Sequence, residues 1–281
     1  QWYNLQIQLW ENDNSTMIVP RDFLSMFINK CREYDIEFYN FHQNDTHEFI
    51  HILMDLLHRS IKKKVNISFT GDPVTNLDKI AIKAVKEWSN YFNNDYSYII
   101  KKFYSQVLSI TSCPECDYMT TNHEPIMILE LEIPDEASTL NNCLDSYTKK
   151  ISLDLENTWK CDKCKNHVKP EKKIILWKTS DVLIILLKRY NGHSKNNNFI
   201  EFPLDLDMSS YSLNYNKEGI DYNLSGMCIQ DGSLGGGHYY AICKNELDKL
   251  WREYNDTSVN IVSEAYLLKQ KPYCLFYRRN K

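Results

Sequence analysis

The stretch GGGHYYAICKNELDKLWREYND, Gly235–Asp256, decides how the chain is read. His238 opens an apolar run, HYYAIC; a polar segment, KNELDK, follows; then comes LWREYN. Two short aromatic-rich runs around a polar break read as a β-hairpin. A turn centred between Glu246 and Leu247 sets His238 opposite Asn255, and directly opposed residues on antiparallel strands share a face with Cβ atoms about 5 Å apart. A carboxamide there accepts an imidazole N–H and fixes the tautomer, which leaves the other ring nitrogen free as a base. A slip of one residue would offer Asp256 instead, and the turn sequence does not decide between them. Five of the chain's eight glycines lie between Gly226 and Gly237. Such a run lets backbone come close to a ligand; the plainer reading is a mobile hairpin loop. A lone histidine is more often structural than catalytic. A histidine straight after three glycines, with an orienting group across the strand, is the arrangement that serves a thiol nucleophile.

Outward from the hairpin, the texture divides the 281 residues. Residues 1–100 read as helical. Phe23, Leu24, Phe27 and Ile28 have helical spacing after Pro20. Asp45 opens a longer helix with Phe49, Ile50, Leu53, Leu56, Leu57 and Ile61 on its apolar face, and Asp45 with Glu48 resembles a capping box. A loop is expected over Asn66–Asp78 and a further helix over Lys79–Phe92. From residue 101 the runs FYSQVLSIT, IMILELEIP, KIILWK and DVLIILLKRY read as strands, with a short helix over Asn141–Lys149 and a loop over Asn191–Asn198. The expectation is an α+β protein in three parts, 1–100, 101–180 and 181–281.

A formal net charge of −4 argues against nucleic-acid binding through a basic surface and mildly favours a basic partner. The opening QWYNLQIQLWEND lacks the basic and apolar regions of a signal peptide. The longest aliphatic run, Val182–Leu187, is too short to span a bilayer. A soluble protein with no membrane partner is expected. Gln1 is not an initiator methionine, so residues upstream of it are expected too.

Four of the nine cysteines form two tight pairs, Cys113-Pro-Glu-Cys116 and Cys161-Asp-Lys-Cys164. Two such turns brought together surround one Zn²⁺ with four thiolates, leaving no open position, so the metal holds structure. The alternative is free thiols or two redox pairs; the doubled spacing favours metal and a reducing compartment. The other five, Cys31, Cys143, Cys228, Cys243 and Cys274, read as small buried hydrophobes.

GGGHYYAICKN, LWREYNDTSVNIV and PYCLFYRR together resemble the His box and C-terminal strands of the ubiquitin-specific protease family of cysteine peptidases. HQNDTHEFIHILMDLLH resembles its Gln box, carried by Gln43, Asp45, Glu48 and Phe49, and DVLIILLKRY and FIEFPLDLD resemble its later strands. The resemblance covers about residues 38–281 in order. It implies a papain-like fold with a helical thumb, zinc-bearing fingers and a palm formed mostly after Asp181. It implies hydrolysis of the bond after the C-terminal Gly-Gly of ubiquitin or of a ubiquitin conjugate, by a monomer of the cytoplasm or nucleus. His238 would be the base, Asn255 its orienting group and Asp256 the adjacent polar residue. Gly235, Gly236 and Gly237 would wall a narrow tunnel for the glycine tail. Gln43 and Asp45 would lie on the ubiquitin side, Asp45 meeting the basic tail; its plainer role is a helix cap. Two departures are Ser105, where a glycine is usual, and Gln230, where a histidine is common.

The family's nucleophile box, Asn-x-Gly-Asn-Thr-Cys, is not in these residues, and Cys31 in NKCREYD does not match it. The expectation is a nucleophile upstream of Gln1; the alternative is a ubiquitin binder without catalysis. A third reading starts from His47-Glu48-Phe49-Ile50-His51, a literal H-E-x-x-H, which on a helix binds zinc with Glu48 as base. No third ligand is marked for it, and the Gln box also accounts for Glu48 and Phe49.

Overall fold

The structure is a computed structural model and describes residues 1–11, 18–38, 44–153, 158–190, 192, 194–213, 215, 220–233 and 236–280. Among the described residues, five helices occupy the first hundred or so positions: α1 (Trp2–Trp10), α2 (Arg21–Glu33), α3 (Thr46–Ile61), α4 (Asn76–Phe92) and α5 (Tyr98–Phe103). Their starts follow from capping chemistry. Asp45 accepts the His47 N–H at 2.8 Å at the head of α3, and Thr75 with Asp78 forms a reciprocal capping box on α4. The box expected from Asp45 and Glu48 is a single cap instead.

Helix α3 is apolar on two sides, not one. Phe49, Ile52, Leu53 and Leu56 pack with Phe23, Phe27 and Cys31 of α2. Ile50 and Met54 reach the other way, onto a cluster that includes Ile128, Ile184 and Tyr273. That second contact fixes the helical part to the strands. Ile61, expected on the apolar face, is exposed.

Strands follow: β1 (Ser105–Ser112), β2 (Met119–Ile126), β3 (Ile128–Glu132), then α6 (Leu140–Thr148), β4 (Ile151–Ser152), β5 (Trp159–Lys160), β6 (His167–Val168), β7 (Glu171–Lys178) and β8 (Val182–Lys188). After these come β9 (Asp205–Asp207), β10 (Asp221–Ser233), β11 (Gly236–Lys244), β12 (Trp251–Asn255), β13 (Ser258–Val262), α7 (Glu264–Leu267) and β14 (Pro272–Arg279). One sheet runs β2-β1-β7-β4; the large one runs β13-β12-β11-β10-β14-β8-β3, with β9 beside β10. β3 joins β8 in parallel, which requires the long crossover through α6 and the other sheet.

The principal core lies on one face of the large sheet, where Leu129, Leu183, Ile185, Leu224 and Tyr277 meet Leu140 and Leu144 of α6. Two buried phenols in it are satisfied: Tyr222 donates to the Ser180 carbonyl at 2.5 Å and Tyr277 to that of Pro203 at 2.7 Å. Burial without those bonds would cost about 1–3 kcal/mol each. Ser105 is used the same way, accepting the Ser180 N–H at 3.0 Å. Among the described residues no helix is long and apolar enough to cross a membrane.

Candidate active site

The glycines act first. β10 and β11 pair in register with Gln230 opposite Tyr239, Asp231 opposite His238 and Gly232 opposite Gly237. Gly232 has φ +112°, and a Cβ on it would strike the Gly236 carbonyl. A Cβ on Gly237 would run into the side-chain amide of Gln230 and come within 2.6 Å of the Asp231 carbonyl. Gln230 cannot easily yield. It is buried, and its Oε1 accepts from both the Tyr190 hydroxyl and the Lys195 ammonium, which turns its amide nitrogen toward Gly237. Gly237→Ala is therefore expected to destabilise the protein by about 1–3 kcal/mol through overpacking; a lowered urea midpoint checks it, and an unchanged one refutes it.

These strands form one wall of a cleft of about 360 Å³, lined by Tyr190, Gln230, Ser233, Gly237 and Tyr239 and, across from them, Asn44 and Asp45 at the head of α3. Asp45 is the helix cap that its plainer reading suggests, and it also lines the cleft. One carboxylate oxygen caps α3; the other accepts the Tyr273 hydroxyl at 2.7 Å. Burial, and then that bond to Asp45, hold the Tyr273 phenol well above its ordinary range, so it stays a donor. Its ring also contacts Tyr190 and Tyr239, at centroid distances of 6.2 and 5.9 Å. The sequence does not single out Tyr273, Tyr190 or Lys195; only the positions of Tyr273 within PYCLFYRR and of Tyr190 at the end of DVLIILLKRY could have drawn notice.

His238 and Asn255 meet, by a register other than the expected one. β11 and β12 pair Lys244 with Trp251 and Ala241 with Tyr254, so the turn is centred one residue later, between Leu247 and Asp248. Asn245 is the reason: its side chain accepts the Leu247 N–H at 2.8 Å, and Lys249 takes φ +62°. A shift of the turn centre by one residue displaces the pairing by two, and side chains keep their face because the strand period is two. The ladder ends at Ala241 and Tyr254, and past it the His238 Nε2–H donates to Asn255 Oδ1 at 2.7 Å. That bond leaves Nδ1 bare. Asp256 Oδ2 is farther off, at 3.9 Å from Nε2, on an exposed side chain with φ +50°. Both side chains stay accessible, as a proton-transferring pair requires. Gly236 and Gly237 lead directly into His238, while Gln43 and Gly235 lie outside the described residues.

No cysteine supplies a thiol to this pair among the described residues. Cys31, Cys143, Cys228 and Cys274 are buried, and burial pushes their thiols up. Cys243 is five residues along β11 from His238, about 17 Å away at strand rise and on the opposite face.

The remaining four come together. Cys113 follows β1, where its N–H donates to the Tyr118 carbonyl, and Cys161 follows β5, where its N–H donates to that of Asn166. Two hairpin tips thus converge, and Sγ–Sγ separations are 3.8 Å for Cys113–Cys164 and 3.6 Å for Cys116–Cys161. A tetrahedral ion with metal–sulfur bonds of about 2.3 Å needs edges of about 3.8 Å. The two measured edges match those of such an ion and all four sulfurs lie within 4.8 Å of one another, so the four thiols could hold a metal ion, and Trp159 stacked on Tyr118 at 5.8 Å lies beside them.

A histidine held by a carboxamide beside a glycine-walled cleft, on an α+β scaffold, defines a site of the cysteine-peptidase class. Residues 1–277 match the family model "Ubiquitin carboxyl-terminal hydrolase", and the chain belongs to that family. It is 29% identical over 278 residues to ubiquitin carboxyl-terminal hydrolase 2 of Gallus gallus, covering 96% of this chain and 76% of the relative. It is 30% identical over 281 residues to ubiquitin carboxyl-terminal hydrolase Usp2 of Drosophila melanogaster, covering 97% of this chain but 29% of the relative. A solved structure of the SAGA Ubp8/Sgf11/Sus1/Sgf73 DUB module bound to ubiquitin aldehyde superposes with a TM-score of 0.71 at 26% identity, covering 92% of this chain and 54% of that one. The chain thus spans under a third of the Drosophila relative and about half of the solved chain. The fold is accordingly the papain-like one of ubiquitin-specific catalytic domains. The metalloprotease reading of His47-Glu48-Phe49-Ile50-His51 finds no support, since the family is one of cysteine-type deubiquitinases.

Proposed function

We propose that the protein is a deubiquitinating thiol protease that cleaves the isopeptide or peptide bond after the C-terminal Gly-Gly of ubiquitin. The observation that carries this is the 2.7 Å bond from His238 to Asn255 at the end of a strand whose Gly237 admits no side chain. A slot with that wall suits a substrate tail that is itself glycine. Asp45, across the cleft, suits a basic residue behind that tail.

The chemistry follows from the tautomer. Asn255 accepts the Nε2–H, so Nδ1 takes the proton of a thiol, and the thiolate attacks the glycine carbonyl carbon. The carbon–nitrogen bond breaks as the imidazolium returns its proton to the leaving amine. Water, deprotonated by the same nitrogen, then attacks the carbonyl carbon of the resulting thioester; the carbon–sulfur bond breaks, the ubiquitin carboxylate leaves and the imidazolium returns its proton to the thiolate. The thiol comes from residues outside these 281. The four-cysteine cluster holds Zn²⁺ and shapes the β1–β2 and β5–β6 tips, taking no part in the reaction. The free thiols suit a reducing compartment, the cytoplasm or nucleus, and the protein acts as a monomer toward ubiquitin.

A second reading, ubiquitin binding without hydrolysis, is favoured by one observation: none of the described residues lining the cleft is a cysteine. A ubiquitin whose C-terminus carries a thiol-reactive group separates the two. The full-length product is expected to form a covalent adduct that the free-thiol reagent iodoacetamide blocks; binding without adduct would establish the second reading.

A further inference from the structure

We propose that His47, His51 and Glu130 form a divalent-metal site, suited to Zn²⁺, distinct from both the cleft and the four-cysteine cluster. The two histidines stand one turn apart on α3, on one face, with ring centroids 5.4 Å apart and planes at 89°. Glu130 comes from β3, far along the chain, and one ligand atom from each of the three lies within 4.8 Å of the others. Zinc bonds of about 2.0–2.2 Å to nitrogen and oxygen put neighbouring ligand atoms about 3.4 Å apart. Closing the site therefore takes a contraction of those separations by about 1.4 Å or less.

The platform under it is rigid. Ile50 and Met54 of α3 pack on the cluster that contains Ile128, and Ile128 heads the strand that carries Glu130 and pairs with β8. The donor set is two imidazoles and a carboxylate, the ligands that zinc and its neighbours prefer among non-thiolate sites. Asp45 Oδ1 lies 3.7 Å from His47 Nδ1, a carboxylate charge close enough to favour a cation bound beside that ring. The histidines are half-buried and Glu130 is exposed, so water completes the shell. With three protein ligands and no thiolate, this ion exchanges more readily than one held by four cysteines.

The site is tested by metal content, which is independent of hydrolysis. The untagged full-length chain, dialysed against buffered free Zn²⁺ and counted by plasma mass spectrometry, is expected to hold one zinc more than it does after a mild chelator. His51→Ala and Glu130→Gln lose that exchangeable zinc, with affinity by calorimetry down about tenfold or more; Glu130→Gln alters only an exposed side chain, so folding is not in question. His238→Ala keeps it. Equal zinc in wild type and Glu130→Gln, or loss of the extra ion in His238→Ala, would overturn the site.

Discussion

His238→Ala is expected to lower kcat/KM for a fluorogenic ubiquitin amide about a thousandfold or more, in a chain extended to carry the thiol, with ubiquitin affinity nearly unchanged. Removing a general base costs about 10²–10⁴ in rate, and here the same ring must also protonate the leaving amine. The side chain is exposed and makes one hydrogen bond, so its loss leaves no buried cavity. Stability should then move by no more than about 0.5 kcal/mol, as for an ordinary surface change. Asn255 refines the test. Asn255→Ala removes the acceptor and frees the ring to adopt the wrong tautomer. Asn255→Asp keeps an acceptor but adds charge, which raises the imidazole's pKa; more activity survives than in Asn255→Ala, with its onset moved to higher pH. An active His238→Ala enzyme would remove the mechanism, whatever the family.

The hairpin shows what sequence carries and what it does not. The two aromatic-rich runs, the glycine run and the polar break between the strands specify that strands form and which faces they present. They do not specify the turn, because Asn245 and Lys249 set it by a side-chain bond and a left-handed backbone that no pattern of apolar residues announces. The error was harmless because displacing a pairing by two preserves faces; a displacement by one would have separated His238 from Asn255. The paired cysteines were legible for a different reason. A metal site made of two C-x-x-C turns is nearly local at each end, so only their meeting needs the fold. Tyr273, Tyr190 and Lys195 lie at the other extreme. Tyr273 meets Asp45 across 228 positions, and Lys195 meets Gln230 across 35; each is one more aromatic or lysine until the strands are paired. Glu130 is the same case. As one of many acidic residues it is invisible beside His47 and His51, and only the parallel placement of β3 brings it there.

Cys113→Ser is expected to unravel the β1–β2 and β5–β6 tips and to lower the thermal midpoint by about 10 °C, the larger effect on stability. Metal bound at a structural four-thiolate site contributes on the order of 10 kcal/mol in small domains. The full amount is not at stake here, because β1 is also held along its length by β2 and β7. The tips have no such support. β5 and β6 are two residues each, and the apolar cluster around them consists of the cysteines themselves with Val168, Tyr118 and Trp159. Without an ion, four thiols within 4.8 Å hold one another only by weak sulfur hydrogen bonds. A loss of about 3–5 kcal/mol, converted at about 2–4 °C per kcal/mol for a chain of this size, gives the expected shift. Zinc content measured after a mild chelator separates this site from the exchangeable one: wild type retains one ion and Cys113→Ser none. Cys143→Ser, a change of the same chemistry in the α6 core, should destabilise without any change in zinc. A wild-type chain that keeps no zinc after the mild chelator, yet melts as Cys113→Ser does, would show that the cysteines act by packing alone.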